Sequence, residues 1–167
     1  VVILVLSLSY LQRFPTGDWQ VANCDIGQGD GAAINLGNYR AIVIDTGPDP
    51  ELIDRCLKQL GIREIPLLII THGHADHIAG WPGVTKGRKI GLTWYQNVKR
   101  GARAQLQSTQ GPVVIEVLWP DSGSYDPNNS SIAVRITTKD YTLFAGGDME
   151  PLTQSVIAPT VREVDIY

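Results

Sequence analysis

Cysteine is scarce in this sequence: two of 167 residues, Cys24 and Cys56. Neither sits in a CxxC pair or a Cys/His finger spacing, which argues against a disulfide-rich scaffold and a structural zinc finger. One disulfide between them is possible, but nothing in the spacing supports it. Excess positive charge is lacking too. Fourteen Lys and Arg stand against 17 Asp and Glu, a net charge of −3. That balance argues against a broad basic surface for nucleic acid, while a local patch or bound cations could still draw in phosphates. The apolar N-terminal run, residues 1–10 (VVILVLSLSY), falls short of the roughly 20 residues a spanning helix needs. It reads equally as a strand or as the tail of a membrane helix that begins before this segment. With no basic residues ahead of it, it does not resemble a signal peptide. Neither an exact repeat nor a low-complexity tract occurs. What is present, 43% apolar residues, fits one globular domain with a sizeable core. The expected division is an apolar segment at residues 1–14 and a domain at 15–167.

Along the chain, residues 19–25 mix apolar and polar side chains as a strand does, and Gly27-Gln28-Gly29-Asp30-Gly31 breaks them as a turn. Residues 32–36 and 41–44 follow as two strands of a hairpin around Gly37-Asn38, the second ending in Asp45-Thr46-Gly47. Leu52, Ile53, Cys56, Leu57 and Leu60 recur at helical spacing, with Asp49 as cap and Gly61 as stop. Pro66 then opens Leu67-Leu68-Ile69-Ile70, an all-apolar run of the kind that forms a strand buried on both faces. This strand delivers the chain to a histidine cluster at its carboxyl end, where open α/β sheets place ligands. Residues 78–84 begin a helix that Pro82 and Gly83 shorten.

Residues 86–103 carry Lys86, Arg88, Lys89, Lys99, Arg100 and Arg103 around Trp94 and Tyr95. They form a weak candidate for a phosphate-contacting face, set against the plainer reading of a solvated surface segment. Strands are expected at 113–118, 132–137 and 141–144. Gly146-Gly147-Asp148 follows the last of these, then a short helix at 150–157 that stops near Pro159. Residues 164–167 look like the start of another strand.

All three histidines of the chain, His72, His74 and His77, fall within six residues together with Asp76. On a tight loop, His72 and His74 can converge on one cation while Asp76 and His77 reach a second. Neutral imidazole and carboxylate suit zinc, manganese or iron, and a pair of such ions can activate a water for hydrolysis. Asp148, at the end of a later strand, is a candidate to bridge the ions, with a plain helix cap as the alternative. Asp45 is a candidate to orient a ligating histidine, with a plain turn role as the alternative. Asp76 and His74 are the candidate catalytic residues, Asp76 by orienting or deprotonating the water.

Several elements together resemble the C-terminal metallo-β-lactamase-like domain of the ComEC competence proteins, bacterial membrane channels for DNA uptake. They are Asp25-Ile26-Gly27-Gln28-Gly29-Asp30, Ile44-Asp45-Thr46-Gly47, the His72 to His77 cluster with Ile78-Ala79-Gly80, Asn128-Asn129-Ser130-Ser131, and Gly147-Asp148-Met149-Glu150-Pro151. The resemblance implies an α+β fold, an αββα sandwich incomplete at its C-terminal end, because such domains continue into a His-His-Gly-Ser element. It implies two divalent ions, zinc or manganese, held by His72, His74, Asp76, His77 and Asp148, with Asp30, Asp45, Asn128, Asn129 and Ser130 in support. It further implies a nuclease that degrades one strand of incoming DNA, with single-stranded DNA, the membrane channel part of the same protein and the uptake machinery as partners. The domain would then lie on the extracytoplasmic side of a bacterial membrane. Two other functions stay open from sequence: hydrolysis of a small ester, thioester or lactam on the same fold, and a non-catalytic remnant that binds DNA or a partner.

Overall fold

The computed structural model describes residues 18–121, 123 and 125–167. The apolar run at residues 1–10 lies outside them. Among the described residues no helix is long and apolar enough to cross a membrane.

Two sheets form. The first has strands β1 (Val21–Asn23), β2 (Ala32–Gly37), β3 (Arg40–Ile44), β4 (Glu64–Ile69) and β5 (Lys89–Trp94) in that order. β1, β2 and β3 are antiparallel neighbours, while β3, β4 and β5 run parallel. The second sheet is an antiparallel meander of β6 (Arg103–Ser108), β7 (Gly111–Trp119), β8 (Ala133–Thr137) and β9 (Thr142–Ala145). Period-two side-chain alternation sorts the apolar residues into layers. Ile34, Leu36, Ile42, Ile44, Leu67 and Ile69 meet Val113, Ile115, Val117, Val134 and Ile136 between the sheets. Ala33, Ala41, Val43 and Leu68 face outward onto Ile53 and Leu57 of helix α1 (Pro50–Gln59), together with Ile78 of α2 (Ala75–Ile78) and Val84 of α3 (Trp81–Thr85). On the far side, Phe144 and Ala133 pack with Met149 and with Ile157 of α4 (Pro151–Val161). The result is the expected αββα sandwich.

Asp49 caps α1 by accepting from Glu51 N and Leu52 N, and Asn38 and Tyr39 take the positive φ angles of a tight hairpin turn. Four local expectations need correction. Pro66 does not open β4 but sits inside it, in a central strand. The register with β3 shifts there, from Arg40↔Glu64 to Ile42↔Leu67, and a bulge is where a residue without an N–H is tolerated. Residues 89–94, inside the basic stretch, and residues 103–108, which begin at its last residue, are strands β5 and β6, which the sequence reading missed. The helical turn expected from residue 78 begins at Ala75, and Pro82 opens α3 instead of shortening a helix, as befits a residue with a preset helical φ. Helix α4 runs two residues past Pro159, where a missing N–H costs one bond close to an end that frays anyway.

Cys24 and Cys56 form a disulfide. The bond ties the end of β1 to the inner face of α1, a proximity that only the packing of helix on sheet creates.

Candidate metal centre

Every strand that faces the histidines delivers a loop to one end of the sandwich. β4 continues through Ile70 and Thr71 into His72, and β3 ends in Asp45. The β1–β2 loop brings Asp30, and β9 leads through Gly146 and Gly147 to Asp148. Two glycines permit the approach. A Cβ on Gly29, at φ +93, would strike the backbone carbonyl of Asp76, and one on Gly147, at φ +57, would meet Ser131 and Thr71 at 2.9 Å.

His77 is the pivot. Its Nδ1 lies 2.9 Å from Asp45 Oδ2, and Asp45 also accepts from Thr71 N and Thr71 Oγ1, each at 2.7 Å. With Nδ1 engaged by a buried carboxylate, the lone pair left for a cation is on Nε2, which sits 3.3 Å from Asp148 Oδ2. His72 Nε2 is 3.9 Å from the same oxygen, is buried, and has no hydrogen-bond partner among the described residues. A buried imidazole nitrogen left bare carries a desolvation cost that a cation would remove. Two neutral-imidazole donors and a carboxylate oxygen are the donor set that zinc and similar ions take. His72, His77 and Asp148 therefore fit a divalent cation. Asp30, Asp45 and His77 also gather, but there the shared atom is the Nδ1 already bonded to Asp45, so this is the less suitable cradle.

Without a cation the two rings differ in protonation. Burial pushes His72 below its ordinary value, helped by the charge of His77, which keeps the ring neutral. Burial would lower His77 as well, but the hydrogen bond and charge of Asp45, with Asp148 and Asp30, outweigh it and lift the ring to about 9. Burial raises the Asp45 carboxyl in spite of its bonds to His77 and Thr71. A cation arriving at His77 would displace a proton from a well-stabilised imidazolium.

The loop spacing suggested His72 with His74 on one ion and Asp76 with His77 on another. The structure groups the donors differently: His72 and His77 meet at Asp148. His74 is exposed and lies edge-on to His72, with ring centroids 4.8 Å apart. Asp76 Oδ2 is 3.9 Å from His77 Nε2, and Asp30, at 3.9 Å from His77 Nδ1, is largely exposed.

Asn129 is buried in a knot that links the Asn128–Ser130 turn to the segment after Asp148. Its Oδ1 accepts from Glu150 N and Thr153 Oγ1, and its Nδ2 donates to Asp126 and Glu150. Asn128 Oδ1 is buried without a partner among the described residues. Ser130 donates to Tyr125 O and borders a cavity of about 360 Å³ beside His72 and His74.

The basic residues divide in two. Arg88 is a correction: its side chain is 2% exposed and paired to Asp54 at 3.0 Å, so it packs against α1 and does not form part of a solvated charged face. Lys86 also pairs with Asp54, and Lys89 with Glu64 at the opposite end of the sheet from the histidines. Arg103 pairs with Glu116. Lys99 and Arg100 are exposed and lie on the loop that leaves β5 at the histidine end. Sequence reasoning missed Thr71, Thr153 and Tyr125, and met Glu150 only as part of the Gly147 to Pro151 element; Thr71 has no signal beyond preceding His72 at a strand end.

No curated protein sequence matches this chain. Among solved structures, one match is a metallo-beta-lactamase from Hirschia baltica, at 14% identity and a TM-score of 0.42, covering 75% of this chain and 64% of that one. A family model described as the metallo-beta-lactamase superfamily matches residues 29–155, a span that takes in Asp30, the histidine loop, Asn129 and Asp148. The chain thus belongs to the metallo-beta-lactamase superfamily, a superfamily of metal-dependent hydrolases.

Proposed function

We propose that this chain is a metal-dependent phosphodiesterase that degrades one strand of DNA during uptake in natural competence, the role of the ComEC domain it resembles. The observation that carries the hydrolase chemistry is the bare, buried Nε2 of His72 aimed with His77 Nε2 toward Asp148. On this reading His72, His74, Asp76, His77 and Asp148 hold two divalent cations, zinc or manganese. Such ions, when bound, supply Lewis-acid activation of water and charge neutralisation at the attacked phosphorus. The chain's own part is positioning. Asp45 fixes the tautomer and ring plane of His77, burial keeps His72 neutral, and on this reading Asp76, 3.9 Å from His77 Nε2, also accepts a proton from the attacking water.

Three features favour DNA as the substrate. The elements that resemble ComEC, around Asp30, Asn129 and Asp148, all border the histidine loop. Lys99 and Arg100 stand at the same end of the molecule. The Cys24–Cys56 disulfide suits an oxidising compartment, in keeping with a domain on the outer side of a bacterial membrane, next to the channel part of the same protein.

The test is cleavage of single-stranded DNA by the purified protein with zinc or manganese added. Cleavage is expected to need the metal and to vanish in His74→Ala. Cleavage that survives chelation, or that His74→Ala leaves intact, overturns the reading. Faster turnover of small esters, thioesters or lactams than of DNA would move the substrate to that class.

A further inference from the structure

We infer that the cleft beside the candidate metal centre is a single-strand nucleic-acid subsite, in which the Tyr125 ring takes an unpaired base and Lys99 and Arg100 take neighbouring phosphates. The inference deepens the nuclease reading and rests on it for the reaction, though not for the binding.

Two loops build the cleft. One leaves β5 through Tyr95 and Gln96 and passes Lys99 to Arg100, whose backbone N–H donates to Pro120 O at 2.6 Å. The other leaves β7 at Pro120 and passes Asp121 to Tyr125 and Pro127. The Arg100–Pro120 bond closes the base of a V. Tyr95, Gln96, Tyr125 and Pro127 line the opening onto His72 and His74.

Tyr125 is held at two points. Its hydroxyl donates to Asp121 Oδ1 at 2.6 Å, and its ring leans on Trp119 with centroids 4.8 Å apart. Trp119 is itself 3% exposed and anchored by its indole N–H to Asn129 O. Tyr125 nevertheless remains 36% exposed. A rigid, half-bare aromatic ring at the rim of a cleft stacks any base with little loss of side-chain entropy.

The charges complete the argument. Lys86, Arg88, Lys89 and Arg103 are all engaged in ion pairs, whereas Lys99 and Arg100 form none among the described residues. Their charges reach Asp121, whose carboxyl is held below the ordinary range first by the Tyr125 hydroxyl and then by the Gly123 N–H and these two cations. Two free cations beside a propped aromatic match the alternation of phosphate and base along an unpaired strand. A duplex keeps its bases stacked inside and could not place one on Tyr125 without first unpairing it.

The experiment measures fluorescence anisotropy of a short labelled oligothymidylate, and of a duplex of equal length, with protein in EDTA at low salt. Metal-free binding keeps the result independent of turnover. Expected are tighter binding of the single strand than of the duplex and a loss of about fivefold or more in Tyr125→Ala. Tyr125→Phe, which keeps the ring, should bind within about twofold of the wild type, and Lys99→Ala/Arg100→Ala should flatten the salt dependence. Thermal melts verify that each variant is folded. Equal binding of single strand and duplex, no binding by the wild type, or wild-type binding by folded Tyr125→Ala overturns the inference. Persistent metal-dependent cleavage in that case leaves the nuclease reading standing, while Tyr125-dependent binding without any phosphodiester turnover does the reverse.

Discussion

Asp45 makes three hydrogen bonds from one buried carboxylate, two to Thr71 and one to His77 Nδ1. It does so from a backbone φ of 57°, a left-handed conformation that costs a non-glycine residue on the order of 1 kcal/mol. Strain of that kind persists where neighbouring contacts demand it, here because the carboxylate must turn back onto His77. Asp45→Ala is expected to leave the donor atoms present but unoriented and to weaken zinc binding by about 10- to 100-fold. A competitive zinc titration of the folded variant reads this, and unchanged affinity would show that His77 needs no such partner. The histidines were legible in the sequence because they crowd into six residues that share one loop. Asp148 was a candidate from its place after a strand, and only the resemblance set it above a plain helix cap. Thr71 and Tyr125 carried no pattern at all; each matters through what the fold lays beside it.

At the scale of elements, α1 and β7 were readable because their more buried positions recur at a regular spacing, while β3 and β4 were readable as apolar runs with both faces in a core. β5 and β6 were not. In β5, Lys89, Gly91 and Leu92 are exposed, so an edge strand with few buried side chains looks like a charged loop. The Asp54–Arg88 pair joins α1 to the turn before that strand. Burial would raise the Asp54 carboxyl, but the hydrogen bonds and charges of Lys58 and Arg88 hold it below its ordinary value of 3.8. A depressed carboxylate stabilises the fold fully above that unfolded value and loses its contribution as acid carries the pH below it. Melting temperature measured from about pH 5 down to about pH 2 should fall, and in Arg88→Met the acid-sensitive part of the fall should shrink. Removing one member of this buried pair is also expected to destabilise the protein by about 3 kcal/mol at neutral pH. Asn129 joins two other elements. Asn129→Ala frees the Glu150 N–H and Thr153 hydroxyl, and we expect a stability loss of about 2 kcal/mol with weakened cobalt or zinc binding, since Asp148 precedes the untied segment. A folded variant with wild-type metal affinity would confine Asn129 to packing.

For the molecule as a whole, the Cys24–Cys56 bond closes a loop across a separation of 32 residues, which contains the β2–β3 hairpin and most of α1. Constraining a loop of that length in the unfolded chain contributes about 3 to 4 kcal/mol. Denaturation with and without reductant should show a difference of that order, and the Cys24→Ala/Cys56→Ala double variant should match the reduced protein. A difference near zero would place the bond among contacts the packing already secures. Little of this was legible, because two cysteines in unremarkable spacing become neighbours only when helix lies on sheet.

The donors of the candidate centre hang from different leaves: His72 and His77 follow β4 in one sheet, and Asp148 follows β9 in the other. An ion gripped by all three would work as a clasp across a hinged locket. Chelation would then be felt far from the loops, as faster amide exchange deep in both leaves, because whatever holds the rim shut also quiets the breathing of the seam.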